Sequence, residues 1–319
     1  MSQTTIFPNP AAAQAETRRF QPMGFTLAVT SNSRAILEAA QVSFGRFGPA
    51  PPETPPDFTF RLFEHDVGEE PAGPPVFRMD GHLLYQTAGR GATLVVDVAA
   101  GVAFGNFSAA SLANPAYFRW HFLELAFFVL LEARGWMGVH GAALAHNHTA
   151  MLLRAQSGGG KTTLAYAGAR RKFQALAEDV VWLDPNRRLW WGVPWSFHLL
   201  PDAKRLFSEL APYPPILQTN AELKLEVDLE TVRSDSTTVS AQPGAILFVE
   251  RLPGGRSRLE PLDEAQARAL WPAGQTGWEM QLPHHPAHLD RLLSETPCYR
   301  FYFGDDIDRG VDLLEPLFE

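Results

Sequence analysis

Residues 157–163 read Ser-Gly-Gly-Gly-Lys-Thr-Thr, and no other stretch of the 319-residue chain constrains its fold as strongly. Three consecutive glycines disfavour the interior of a helix or strand. The apolar run Met151-Leu152-Leu153 precedes them and a helix-forming stretch from Lys161 to Arg171 follows. A strand, a glycine loop and a helix in that order aim several backbone N–H groups and the positive end of a helix dipole at one point. Gly158, Gly159 and Gly160 remove the side chains that would keep an anion away from the backbone. Lys161 adds a mobile positive charge for β and γ phosphates, and the Thr162 hydroxyl is placed to meet Mg²⁺. The stretch matches the P-loop (Walker A) pattern G-x-x-x-x-G-K-[ST] except at its first position, where Ala155 stands for glycine. Ser157, Gly158, Gly159, Gly160, Lys161, Thr162 and Thr163 are therefore the expected contacts of a nucleoside triphosphate.

Phosphoryl transfer also needs carboxylates, to hold the metal and to accept the proton of the attacking hydroxyl. Glu178-Asp179 stands between the apolar stretches Phe173–Ala177 and Val180–Trp182, about twenty residues after the loop. Two adjacent acids among apolar residues are costly to bury without a cation. Glu178 and Asp179 are thus the expected metal-holding and proton-accepting pair, with Thr162 as a further metal ligand. His284, His285 and His288 lie beside Pro283 and Pro286 with no clear acidic partner, and are read as surface residues. Trp182, Trp190, Trp191, Trp195 and Phe197 suit core packing better than an acceptor groove.

The remaining segments set the domain plan. Residues 1–20 read as a flexible lead. Residues 21–113 form a small, mostly β unit with one helix: Phe25–Thr30 and the alternating Phe58, Phe60 and Leu62 read as strands, Ser33–Phe47 as the helix, and Asp80-Gly81 as a hairpin turn. Asn114-Pro115 caps a helix that runs to about Arg134 and stops at Gly135, read as a bridge over 114–135. Residues 136–319 form the nucleotide-binding domain. It carries strands near Val139–Ala145, Ala150–Arg154, Ala175–Ala177, Val180–Leu183, Leu189–Trp191, Lys224–Val227, Ala245–Glu250 and Tyr299–Phe303. Helices are expected at Asp263–Trp271 and Arg309–Phe318.

Composition narrows the partners. The net charge of −8 gives no global basic footprint for nucleic acid or an anionic membrane. Leu123–Leu131, the most apolar run, is too short to span a bilayer, and the first twenty residues lack an apolar core of signal-peptide length. The single cysteine, Cys298, excludes a disulfide framework or a cysteine zinc site within one chain. A cytoplasmic setting is expected.

His140-Gly141, then Ser157–Thr162, then Leu176-Ala177-Glu178-Asp179-Val180 resemble the catalytic domain of HPr kinase/phosphorylase. That family shows His-Gly, Gly-x-Ser-Gly-x-Gly-Lys-Ser and Ala-Asp-Asp at comparable spacing. The likeness covers residues 136–195 and continues more weakly through Gly192-Val193-Pro194 and residues 245–272. The N-terminal half resembles the short leader domain of HPr-kinase-related proteins. The resemblance implies an α/β (α+β) chain: a phosphoenolpyruvate carboxykinase-like P-loop domain behind a smaller, mostly β N-terminal domain. It implies ATP and Mg²⁺ as cofactors and transfer to a hydroxyl, commonly serine, on a peptide, protein or small-molecule acceptor. By position, Lys161 and the loop amides hold phosphate, Thr162 binds Mg²⁺, Asp179 and Glu178 share the base and metal roles, and His140 lies near the reacting phosphate. Glu178 replaces the family's first aspartate. The second signature of true HPr kinases, which positions the protein substrate, is absent. HPr kinases are hexameric, so a homo-oligomer is among the implied partners. The alternative is a nucleotide-binding regulatory or chaperone protein of a peptide-modification system that lacks strong transfer activity.

Overall fold

The structure is a computed structural model that describes residues 15–66, 68–71, 73–218, 222–274 and 283–318. The chain is a mixed α/β protein and divides into two compact units, Met1–Arg134 and Gly135–Glu319. No helix among the described residues is long and apolar enough to cross a membrane.

In the first unit the described strands make one seven-stranded sheet in the order β1-β2-β3-β7-β6-β5-β4. These are β1 Glu16–Phe20, β2 Leu27–Ser31, β3 Phe58–His65, β4 Val76–Asp80, β5 Leu83–Ala88, β6 Ala92–Asp97 and β7 Val102–Ser108. Of the stretch read as a flexible lead, residues 16–20 are thus an edge strand paired antiparallel with β2, while residues 1–14 lie outside the described residues. Strand β3 alternates as its Phe-Thr-Phe-Arg-Leu sequence requires: Phe58, Phe60 and Leu62 are buried and Arg61 is exposed. The helix Arg34–Phe44 buries Ile36, Leu37, Ala40 and Phe44.

The expected long helix runs as Pro115–Phe118, a wider π turn over Arg119–Glu124, and Leu125–Ala133. Its aromatic residues pack within the first unit. Phe107 meets Phe118 and Phe122 edge-on at 4.9 and 5.1 Å, and Phe127 meets Phe58 at 5.8 Å. The Asn114 Oδ1 accepts from the Tyr117 N–H at 3.0 Å, with Pro115 in the first turn. Asn114→Ala is expected to destabilise this unit by about 0.5–2 kcal/mol. A urea midpoint unchanged from the parent chain would show that the cap contributes nothing.

The second unit is built on a nine-stranded sheet. Its strands are β8 Met137–His140, β9 Ala142–His146, β10 Thr149–Arg154, β11 Gln174–Ala177, β12 Val180–Asp184, β13 Leu189–Trp191, β17 Ser240–Arg251, β18 Arg258–Leu262 and β19 Cys298–Phe303. Between them, β14 Phe197–Leu199, β15 Pro215–Leu217 and β16 Leu223–Val227 form a separate three-stranded sheet in the order β14-β16-β15. Strand β17 holds the large sheet together. Its start pairs with β13, and its body runs parallel to β10 on one side and β19 on the other.

The helix Lys161–Arg171 lies on one face of this sheet, where Leu164, Ala165 and Ala169 pack with Leu144, Leu153, Leu247 and Phe301. On the other face Trp190, Leu176, Ile246 and Phe248 pack with Ala267 and Leu292 from the helices Glu264–Leu270 and His285–Glu295, and with Trp271 just after the first of them. Of the five aromatics read as core, Trp182, Trp190, Trp195 and Phe197 are buried and Trp191 is half-buried. His285 is buried too, which corrects its reading as a surface residue. The neighbouring His284 Nε2 lies 3.1 Å from the Trp136 carbonyl.

Candidate functional site

The glycine loop joins the end of β10 to the helix Lys161–Arg171, and its backbone explains its composition. Gly158 (φ +77°) and Gly160 (φ +91°) occupy the left-handed region, where a Cβ is strained. Gly159 is needed for another reason: a Cβ there would lie 2.6 Å from the Ala155 methyl. Ala155 itself keeps an ordinary backbone, so this position does not demand the glycine of the general pattern. The Gly159 N–H donates to the Gln156 carbonyl at 3.0 Å, which closes the loop on itself.

Lys161 is buried at the helix start, and its Nζ donates to the Ala155 carbonyl at 3.1 Å. Burial lowers its pKa, and Asp179 opposes that pull. The Arg154 guanidinium lowers it further, and Glu178 raises it. Arg154, the last residue of β10, is itself buried. It donates to the His140 carbonyl at 2.8 Å and the Trp271 carbonyl at 3.1 Å, and lies 3.8 Å above the Trp271 ring. Lys161 and Arg154 thus flank the loop, and the Arg251 side chain lies against Gly160; of the three, sequence reading placed only Lys161 at the phosphates. The signal for Arg154 was an arginine closing an apolar strand just before the glycines.

Two chain crossings bring the other candidates to this loop. Strands β8 and β9, expected as one strand over 139–145, break at Gly141. A Cβ at Gly141 would meet the Leu153 carbonyl at 2.8 Å, so glycine lets the chain pass against β10 just before the loop. The second crossing runs from β11, which pairs with β9, to β12, which pairs with β8. The residues at that step are Glu178 and Asp179. The Gly141 N–H donates to the Asp179 carbonyl at 2.8 Å, which ties the two crossings together. Across them the His140 Nδ1 lies 3.2 Å from Asp179 Oδ1.

His140 is lowered in pKa by burial first. Asp179 pulls it up, and Lys161 and Arg154 push it down. His140, Asp179 and Lys161 therefore lie within electrostatic reach of one another. The two acids engage different partners, Asp179 the His140 ring and Glu178 the His198 of β14. The Asp179 side chain is 53% exposed. The Glu178 side chain is 13% exposed and is held by β14: Oε1 accepts from the His198 N–H at 3.0 Å, and Oε2 lies 2.7 Å from His198 Nδ1. His198 was not singled out in the sequence. It is a lone histidine in Phe-His-Leu, twenty residues from its partner.

The Thr162 hydroxyl is half-buried and the Asp179 carboxylate is exposed, and each is an oxygen of the kind a hard cation takes. Glu178 presents oxygens that are already engaged by His198. Ser157 is exposed and Thr163 half-buried.

Known proteins add little. The likeness is distant. Among solved structures the chain is similar to the HPr(Ser) kinase/phosphatase from Coxiella burnetii, at 12% identity and a TM-score of 0.29, over 57% of this chain and 93% of that one. No protein-family model matches the chain, and no curated protein matches it.

The two histidines give the unit a pH signature with opposite signs. His140 is lowered, so the unfolded chain takes up its proton first; stability falls as pH drops below about 6.5 through the lowered folded value. Burial alone would lower His198, but the hydrogen bond and charge of Glu178 outweigh it and leave it raised. Its contribution is complete below 6.5 and is lost as pH rises through the raised folded value. The two groups thus act on opposite sides, His140 weakening the fold as pH falls and His198 as it rises. His140→Asn is expected to flatten the acid side of a urea-midpoint series and leave the alkaline side alone. An unchanged acid slope would remove His140 as its source.

Proposed function

We propose that the chain is an ATP- and Mg²⁺-dependent phosphotransferase that phosphorylates a hydroxyl, with serine of a peptide, protein or small molecule as the favoured acceptor. The observation that carries this reading is the meeting of His140-Gly141 and Glu178-Asp179 at the two crossings beside the glycine loop, with His140 Nδ1 3.2 Å from Asp179 Oδ1. The fold assigned under this reading to the second unit is the phosphoenolpyruvate carboxykinase-like P-loop type.

In the reaction, the backbone N–H groups of Ser157, Gly158 and Gly160 and the Lys161 ammonium cradle the β and γ phosphates. Thr162 and Asp179 would hold Mg²⁺, which neutralises charge on the phosphates. The acceptor oxygen attacks the γ phosphorus, the bond from that phosphorus to the β–γ bridging oxygen breaks, and ADP leaves. The acceptor's proton passes to the Asp179 carboxylate, and His140 steadies the charge of that carboxylate before the proton arrives. Arg154 and Lys161 keep the pocket positive throughout.

The test is transfer from γ-labelled ATP with Mg²⁺ to a broad acceptor set that includes free serine and serine peptides. Labelled acceptor above the Asp179→Asn background supports the reading. Tight nucleotide binding with no labelled acceptor favours the regulatory alternative, and absence of nucleotide binding removes both.

A further inference from the structure

We propose that His198 is a positioning residue that holds Glu178 against β14 and so divides the acidic pair, leaving Asp179 as the sole carboxylate that meets the reacting groups. The proposal rests on the phosphotransferase reading above and deepens it.

The grip is two-handed. The His198 backbone N–H takes Glu178 Oε1 at 3.0 Å, and its ring Nδ1 takes Oε2 at 2.7 Å. Both carboxylate oxygens are thereby fixed in place and in plane, as a single contact would not fix them. The residue that grips is itself held. Phe197 and Leu199, on either side of it, are buried in the core beneath the helix Lys161–Arg171. The alternation of a strand then turns His198 to the opposite face of β14. Across the ladder His198 stands beside Glu226 of β16, with Phe197 and Leu199 beside Val227 and Leu225.

The length of Glu178 matters. An aspartate here would end about 1.5 Å short, one carbon–carbon bond, and could not make both contacts from the same backbone position. A glutamate at 178 and a histidine at 198 therefore form a matched pair. Asp179, half-exposed and next to His140, is left outside this grip. With Glu178 withdrawn, the metal and the acceptor hydroxyl meet one carboxylate of defined direction. Gripped, Glu178 acts on Lys161 only as a fixed charge; released, it would become a second, mobile carboxylate at the place where Asp179 meets the metal and the acceptor.

The experiment uses the full chain with γ-labelled ATP and Mg²⁺, and reads kcat and KM for transfer to the acceptor or, without one, to water. His198→Leu removes the ring donor. His198→Asn places an amide N–H near the position of Nδ1. Glu178→Gln, alone and combined with His198→Leu, completes a double-mutant cycle. His198→Leu is expected to lower kcat about 10- to 100-fold, with KM for ATP within about twofold. His198→Asn is expected to restore kcat to within about threefold of the parent chain. The double variant is expected to be no worse than the poorer single one. A merely structural role for His198 would lower the melting temperature and leave kcat of the folded fraction unchanged. That outcome, or a His198→Asn chain as impaired as His198→Leu, or additive effects in the cycle, overturns the proposal while leaving the phosphotransferase reading intact. If His198→Leu does not fold, His198→Asn and Glu178→Asp decide: loss of kcat in the aspartate chain with His198→Asn near the parent value supports it, because the shorter carboxylate escapes the grip, and near-parent kcat in Glu178→Asp overturns it. A parent chain that transfers phosphate to no acceptor and not to water fails the reading itself, and the proposal with it.

Discussion

Asp179→Asn is expected to reduce phosphoryl transfer by about 10²–10⁴-fold, the usual range for loss of a positioned proton acceptor. The substitution keeps the shape of the side chain and removes its capacity to take the acceptor's proton. It also leaves the main-chain link intact, since the Gly141 N–H donates to the carbonyl of residue 179 and not to its side chain. The crossing should therefore hold. The side chain is 53% exposed, so folding stability should change little. Nucleotide affinity measured without Mg²⁺ should stay within a few-fold of the parent value. Single-turnover transfer and calorimetric ATP binding, run on the same preparation, separate these effects. A variant with near-normal transfer would move the proton-accepting role to another group. His140 is the nearest one, at 3.2 Å.

Lys161→Ala is the second large effect, and it acts on binding. The ammonium is buried and stands where the loop closes on its own Ala155 carbonyl. Removing one partner of a desolvated charge contact costs about 2–5 kcal/mol, which is roughly 30- to 4,000-fold in Kd for ATP. Stability should respond differently. Burial lowers the pKa of Lys161, so at neutral pH the charged side chain weakens the folded state relative to the unfolded one, a burden relieved only as pH rises through the lowered folded value. Lys161→Ala without nucleotide loses that burden together with the Ala155 hydrogen bond, so its melting temperature is expected to move far less than its affinity. Titration calorimetry with a thermal melt checks both halves. An affinity within twofold of the parent chain, in a folded variant, would end the phosphate-cradle reading of residues 157–163.

The glycine loop was legible because its information is local. Three glycines, a lysine and a threonine between an apolar run and a helix need no distant partner to be understood. Gly141 was legible only as half of a motif, because its reason is the Leu153 carbonyl on another strand. The break between β8 and β9 was missed for the same cause, since the apolar pattern of Val139–Ala145 runs straight through it. Strand β17 was read too short, as Ala245–Glu250, because Gln242-Pro243-Gly244 looks like a turn. In the fold a register shift opposite Ala150 and Met151 absorbs that segment, and the strand continues. His198 and Arg154 depend on partners far along the chain, and no spacing rule reaches them. His285 was misjudged because two prolines and three histidines look like solvent-facing sequence, while the helix Pro286 helps to start buries that ring.

Strand β17 has a consequence for how the chain is made. Strands β9 and β10, joined by the turn at Asn147-His148, can pair as soon as Arg154 leaves the ribosome. The parallel neighbour of β10 begins only at Ser240, and β19 follows at Cys298. At about 5–20 residues per second, the apolar edge of β10 waits on the order of 5–20 s for its partner. During that interval Met151, Leu152 and Leu153 present an open strand edge of the kind that recruits other chains. Yield in the cell should therefore depend on chaperone supply and growth temperature more than the stability of the finished protein would suggest.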